Sequence, residues 1–342
     1  MSPVASSNLE GNTKPTYTRE LVKKHDSPSS LWVIRRNKVY DLTGFASDHP
    51  GGYDWILQYA GHDITDVLRD SDIHPHTVQA YRVLKDFYIG DLVPADHRPD
   101  SVDPDEMDHI DKVEFLDLSK PLLWQLWNAN FSRDFYLEQV HKPHHLPHPA
   151  IMFENKFLEL FTRTPWWFIP IYWTPIFLIM WDLGTSHIDL SGMISSVAAG
   201  LVLWTLIEYT IHRWAFHIDN NIPDHPYAVF AHFLLHGFHH YLPMDSMRLV
   251  MPPALSTAIG LCILGIARLT FPPGIMHGVC CGLIIGYVLY DECHYWLHHG
   301  IANSKWLQAL KAYHLRHHYS DYKSGFGITS PLWDKVLNSS FP

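Results

Sequence analysis

The sequence predicts two unlike parts: a small α+β soluble domain, and joined to it an all-α integral membrane domain. The second part is expected to hold about four transmembrane helices with a cytosolic, histidine-rich helical cap. Three observations carry this expectation. Residues 1–120 are polar and rather acidic, whereas residues 164–292 are dominated by apolar runs, although the overall hydrophobic fraction is an ordinary 47%. Four uncharged stretches, Pro165–Trp181, Leu190–Ile207, Leu249–Ala267 and Leu269–Tyr290, each approach the ~20 residues that cross a bilayer core. Finally, 13 of the 26 histidines fall in the windows 212–240 and 294–318, which begin where the second and fourth apolar stretches end.

Residues 1–16 carry Ser, Asn and Pro with little to bury and are expected to be a disordered tail. They contain no apolar h-region, so no secretory signal is expected there. A compact domain is expected over 17–93. Leu31-Trp32-Val33-Ile34 and Val39-Tyr40-Asp41-Leu42 flank Arg35-Arg36-Asn37-Lys38, the pattern of a β-hairpin. In Asp48-His49-Pro50-Gly51-Gly52, a proline and two glycines after a histidine make a tight turn that lets a large group approach the backbone. His74 and His76 follow, and then a helical pattern through Ala80, Val83, Leu84 and Phe87.

These residues resemble the heme-binding domain of cytochrome b5: "VYDLTGFASDHPGG", "AGHDITD", and a closing Ile89-Gly90-Asp91-Leu92. The resemblance implies heme b held between two axial histidines. His49 carries over as one, and His76, counted back from Gly90, is favoured over His74 as the other. Two imidazoles leave no open iron position, so such a heme transfers electrons and does not bind oxygen. Residues 94–120, with nine aspartates and glutamates and three prolines, are expected to be an acidic, solvated linker.

The membrane domain is expected over 121–342. Its first part, to Arg163, mixes aromatics such as Trp124, Trp127 and Phe131 with basic residues, as in a segment lying at a membrane surface. The proline-rich run from His141 to His148 is expected to be a solvated loop. Pro170, Pro175, Pro252, Pro253, Pro272 and Pro273 imply kinked or broken helices, or two re-entrant hairpins. Either way the crossings are even in number, which leaves the N-terminal domain and both histidine windows on the cytosolic side of a multi-pass protein of the endoplasmic reticulum. The four cysteines form no CxxC and are expected to be unpaired in a reducing compartment. A net charge of −10 without a basic stripe excludes nucleic acid as a partner.

Imidazole at short repeated spacing is the ligand set of a first-row transition metal. His212 and His217, then His236, His239 and His240, are followed by His294 and His298, then His314, His317 and His318: ten ligands, enough for two ions. One difficulty stands out. Five residues turn a straight α-helix about 140° past a full turn, so His212 and His217 can both bind only if the helix distorts or the metals lie to one side. His225, His232 and His299 break the spacing and are expected to be neighbours; His187 and His277 are isolated. Asp245 and Arg248 are expected to pair near the mouth of the cleft, as supporting residues of the dimetal centre.

The motifs HRWAFH, HGFHH, HYWLHH and HLRHH, with Lys323-Ser324-Gly325-Phe326-Gly327 after them, resemble the fatty-acid hydroxylase superfamily of membrane di-iron enzymes. With the heme domain in front, the chain resembles the fatty-acid 2-hydroxylases of sphingolipid synthesis. The resemblance implies the ten histidines above as ligands of two iron ions, with zinc able to occupy the same nitrogens. It also implies O2 as co-substrate, a long-chain lipid substrate and an NAD(P)H-dependent reductase as electron donor. Three rivals fit less well. Desaturases fused to a b5 domain typically have Gln where this chain has His314; sterol-modifying oxidases lack the heme domain. A non-catalytic heme protein with structural zinc would close its zinc site at four ligands, usually with cysteine.

Overall fold

The computed structural model describes residues 15–342 apart from 47, 48, 50–52, 70–77, 97–114, 147, 301 and 303. The chain forms two compact units that divide between Met107 and Asp108.

The first unit is built on a five-stranded sheet: β1 (Thr16–Tyr17), β2 (Asp26–Ser27), β3 (Ser30–Arg35), β4 (Lys38–Asp41) and β5 (Tyr88–Leu92), in the order β1-β5-β4-β3-β2. The expected hairpin is β3–β4, with Arg35 opposite Lys38 and a two-residue turn in which Arg36 takes a left-handed φ of 57°. Leu31, Val33, Tyr40 and Leu42 enter one core with Ile56, Ala60, Ile64 and Leu84. His49 is half-buried, with its ring edge-on to Phe45 at 6.0 Å. His74 and His76 lie outside the described residues. Ordered structure begins earlier than expected, because Thr16 and Tyr17 pair with Asp91 and Leu92 in a parallel ladder that only the folded β5 can offer.

The second unit holds five longer helices: α1 (Phe168–Thr185), α2 (Leu190–Thr210), α3 (Pro253–Thr270), α4 (Pro273–His299) and α5 (Lys305–Tyr319). Among the described residues, three helical stretches, Leu190–Phe216, Pro253–Thr270 and Pro273–His299, are long and apolar enough to cross a membrane. The fourth expected span, α1, is an 18-residue helix whose interior carries Pro175 and Asp182, and it falls outside that set. The prolines mostly start helices rather than break them. Pro252 and Pro272 are N-caps and Pro253 and Pro273 the first helical residues, where the missing N–H costs no hydrogen bond.

α4 is the central helix, 61% of its most apolar window buried, against 22% for the α2 stretch and 11% for α3. It meets α2 almost backbone to backbone. A Cβ on Gly282 would lie 2.2 Å from the Val197 carbonyl, and one on Gly200 would lie 2.2 Å from that of Val279. Close approach of this kind is what small residues allow between membrane helices.

The end of the expected linker is packed into a core instead. Phe115 and Leu116, at the end of the supposed linker, are buried in a core with Leu122, Tyr136, Phe233 and Tyr241. Apolar side chains late in an acidic run found a partner that composition alone does not reveal. The linker is therefore solvated at most up to this point. The surface character expected for 121–163 is mixed: Leu122, Leu126 and Tyr136 are buried, while Trp124, Trp127, Phe157 and Phe161 are exposed.

The Gly282–Gly200 contact generates a prediction. Gly282→Leu should destabilise the second unit by about 1–3 kcal/mol, the usual cost of overpacking, and lower its melting temperature in detergent; an unchanged melting temperature would show that this crossing can separate freely.

Candidate metal centre

The site is assembled from helix ends. α2 runs without a break into a π-helical turn, Ile211–Phe216, closed by the His217 N–H donating to the His212 carbonyl at 3.0 Å. Of the two ways the five-residue spacing allows, the helix takes the distorted one. The widened turn brings both rings to one side, each with Nε2 3.2 Å from Nε2 of His236. A second π turn, Phe233–Gly237, carries His236 and leads directly into the short helix Phe238–Tyr241 with His239 and His240. The last turns of α4 supply His294 and His298, four apart on one face, and the last turns of α5 supply His314, His317 and His318.

The ten histidines fall into two groups of five. His212, His217, His236, His240 and His317 form one; His239, His294, His298, His314 and His318 form the other. Within each group the ligand atoms all lie within 4.8 Å of one another. Contacts are Nε2 to Nε2 throughout: His240 to His217 3.1 Å, His240 to His236 3.0 Å and His317 to His217 2.9 Å in the first group. In the second, His239 to His294 and His298 to His314 are 2.9 Å, and His318 to His314 is 3.1 Å. Two nitrogens each ~2.0–2.1 Å from one ion lie about 2.9 Å apart at a right angle and about 3.4 Å apart at a tetrahedral one. The donor set therefore fits one ion per group. The groups adjoin, the rings of His240 and His318 being 4.4 Å apart.

Burial keeps these rings neutral. It pushes His239 down to about 3 and holds His240, His314, His317 and His318 well below the usual histidine range, with neighbouring imidazoles adding to the shift. A neutral imidazole keeps the lone pair that a metal takes.

Backbone carbonyls aim two of the rings. His212 Nδ1 donates to the Phe326 carbonyl at 2.5 Å, and His317 Nδ1 to that of Ser324 at 2.8 Å. A carbonyl only accepts, so each Nδ1 carries the proton and Nε2 is left to bind. The loop that supplies these carbonyls is itself pinned. Asp334 accepts from the Phe326 and Gly327 N–H groups, and Glu208 accepts from Ile328 and Thr329. Gly325 has φ 75°, and a Cβ there would meet the Phe341 ring at 2.4 Å. The 323–327 motif thus turns out to be a ring-orienting loop.

Other expectations need correction. Asp245 and Arg248 do pair, at 2.8 Å, but both are buried rather than at a cleft mouth. Arg248 also binds Glu159, and Asp245 accepts from the Ala150 N–H, so the pair braces the segment before α1 against the chain that follows His240. The first part of the 141–148 run, His141 to Leu146, is packed rather than solvated. His141 is stacked on Tyr322, with ring centroids 3.6 Å apart, and His145 bonds Tyr319 at 2.9 Å and is pushed down to about 3 by burial. Sequence reasoning missed Asp219, which stands beside His217, His141 and His232. The one signal for it was its place two residues after a ligand candidate. His232 bonds Tyr136 at 2.7 Å and the Phe216 carbonyl at 3.0 Å, consistent with a neighbour's role, and His187 stacks on His277.

An apolar cavity of about 190 Å³ lies among α1, α2, α3 and α4. Trp173, Trp204, Gly260, Leu264 and Leu283 are in its walls, and Phe216 and Tyr290 line it as well. The Phe216 ring stacks on His236 at 4.9 Å, and Tyr290 stacks on His294 at 6.0 Å. The cavity thus reaches both histidine groups through one intervening side chain each.

Comparison with known proteins agrees with this geometry. Residues 18–93 match the cytochrome b5-like heme/steroid binding domain, and residues 197–339 match the fatty acid hydroxylase family. The chain is 36% identical to the ceramide very long chain fatty acid hydroxylase SCS7 of Saccharomyces cerevisiae, across 97% of this chain and 96% of that protein. It belongs to the fatty acid 2-hydroxylase family. The rat fatty acid 2-hydroxylase is 33% identical over 96% of this chain and 95% of its own length. A solved structure of scs7p, with only its hydroxylase domain visible, superposes at a TM-score of 0.64 and 41% identity, covering 67% of this chain and 86% of that one. This fatty acid 2-hydroxylase family member is accordingly an enzyme and a multi-pass membrane protein; its b5 domain implies heme, and its histidine-rich region fits hydroxylation.

Removing one nitrogen tests the grouping. His239→Ala should lower bound metal from two ions per chain towards one and reduce product formation by more than about 100-fold, since even outer partners of metal ligands are worth 10–100-fold. Metal analysis of the purified variant checks this; two ions retained would remove His239 from the ligand set.

Proposed function

We propose that this enzyme 2-hydroxylates very-long-chain fatty acyl chains of ceramides and related sphingolipids, using O2 at a pair of iron ions held by the ten histidines. The observation that carries this reading is the apolar cavity reaching rings stacked on both histidine groups. A chain with no polar atoms beyond its head end suits walls of tryptophan, leucine and isoleucine, and its reactive carbon belongs where the walls give way to imidazoles. The metal pair, when bound, supplies the oxygen activation that an unactivated C–H bond requires; zinc fits the same nitrogens without redox chemistry of its own.

The reaction sets the remaining requirements. One oxygen atom enters the C–H bond and the other leaves as water, consuming two electrons and two protons. A one-electron heme carrier held by His49 and His76 delivers the electrons in turn from an NAD(P)H-dependent reductase. Fusion to the hydroxylase raises the carrier's effective concentration at the site. The chain's own residues hold the ligand nitrogens neutral, aim them, and keep water from the acyl chain. The lipid enters from the membrane, in the endoplasmic reticulum, with heme and metals on the cytosolic face. A ceramide is favoured over a free acid because the fungal relatives' names specify ceramide, and a plant relative, 38% identical over 66% of this chain, is a dihydroceramide fatty acyl 2-hydroxylase.

Lipid analysis tests the reading directly. Cells lacking their own 2-hydroxylase should regain 2-hydroxylated ceramides when this chain is expressed. The His76→Ala protein should lose both the heme spectrum and the product, and unchanged ceramides with the intact chain would end the hydroxylase assignment. The cavity gives a second outcome. A Cβ on Gly260 would already stand 3.2 Å from Trp173, so Gly260→Phe should obstruct the chamber. Hydroxylation of the longest acyl chains should then fall about 10-fold or more relative to shorter ones, the discrimination that one or two methylenes in an apolar pocket can supply; an unchanged product profile would place the chain elsewhere.

A further inference from the structure

Asp219 is a buried carboxylate whose ion-pair partners among the described residues are all imidazoles. Its Oδ2 is 3.3 Å from His217 Nδ1, and its Oδ1 is 3.4 Å from Nε2 of both His141 and His232. It follows the π turn of α2 by three residues and is 8% exposed. A carboxylate withdrawn from water needs positive charge as well as hydrogen bonds, and neutral imidazoles supply only the latter. Through His217, the nearest source of positive charge is an ion bound to that ring's Nε2. The second group of histidines is built differently. Among the described residues, no carboxylate forms an ion pair with any of its five members, and Nδ1 of three of them, His298, His314 and His318, is buried without a hydrogen-bond partner, against that of His240 alone in the first group.

Other partners tie Asp219 into place. His232 is held by the Tyr136 hydroxyl and the Phe216 carbonyl, and His141 is clamped against Tyr322. Three chain segments thus enclose the carboxylate: Oδ2 is hydrogen-bonded by His217 Nδ1, while Oδ1 lies against two anchored imidazoles without a hydrogen bond of its own. Ligand rings backed by a carboxylate are better bases and are locked in one tautomer.

We propose that Asp219 is a positioning residue that makes the two centres unequal: acting through His217, it causes the His212/His217/His236/His240/His317 centre to take up metal ahead of the other and more tightly. The proposal rests on the reading of the histidine groups as a metal pair.

Full-length protein, stripped with chelator and titrated with cobalt(II), reads both steps by its visible absorption, with competing chelators setting the affinities. The wild-type chain should bind two equivalents in two separated steps. In Asp219→Asn the tighter step should weaken about 10–100-fold, as for other outer partners of metal-binding histidines, while the weaker step stays put; Asp219→Glu should restore part of the loss. His217→Ala should weaken the same step, and adding Asp219→Asn to it should change little further, because the carboxylate acts through that ring. Three results would overturn the proposal: a single wild-type step of two equal sites, two unchanged steps in Asp219→Asn, or an equal weakening of both steps, which marks a general structural role. If the Asn variant does not fold, Asp219→Glu alone decides: its displaced carboxylate must weaken the first step only. Wild-type protein that binds no cobalt at all would overturn the metal-pair reading itself, a different outcome from any of these.

Discussion

The second unit depends on one arrangement: ten imidazoles packed with their Nε2 atoms converging on two points. Removed from water, these rings stay neutral, and each needs its Nδ1 proton accommodated while Nε2 points inward. Much of the surrounding structure serves that end. The 324–329 loop presents two carbonyls; Asp334 and Glu208 hold the loop; and Gly325 lets it turn where a side chain would strike Phe341. The helices have a corresponding task. Gly200 and Gly282 set α2 and α4 at backbone contact, so the helix ends that carry His212 and His294 emerge side by side.

The two centres are interlocked rather than separate. Each histidine window keeps most of its own ligands and lends one to the other: His317 joins the group from 212–240, and His239 joins the group from 294–318. Adjacent residues such as His239 and His240 therefore serve different centres, because successive side chains on a helix point about 100° apart. Neither window can form its centre alone. The pairing of α4 and α5 with the π turns of the earlier segment is thus a condition for either group of five to assemble.

The cavity extends this logic into the apolar layer. α4 is the buried spine and α3 the outermost helix, and between them runs a channel walled by side chains a lipid tail would contact. Its polarity changes over one residue, from Phe216 to His236 on one side and from Tyr290 to His294 on the other. Under the proposed function, that sharp boundary would let a long apolar chain be held by area alone while a single carbon near its head lies within reach of the chemistry.

Much of this was legible in the residues themselves. Local patterns, the β3–β4 hairpin, the apolar runs and the ten histidines at short spacing, are written in nearest neighbours and in helical periodicity. Counting residues per turn left two ways for His212 and His217 both to bind, a distorted helix or metals set to one side, and the π turn is the first of these. What only the tertiary structure decided involves residues far apart in the chain. It divided the histidines between the two centres, buried Phe115 and Leu116 at the end of an acidic run, and drew His141 and His145 out of an apparently solvated loop. It also placed Asp219 behind His217 and moved Asp245 and Arg248 into a buried brace. Spacing along the chain tells which side chains can share a helix face; which face meets which is set by the packing of distant segments, and no local pattern encodes it.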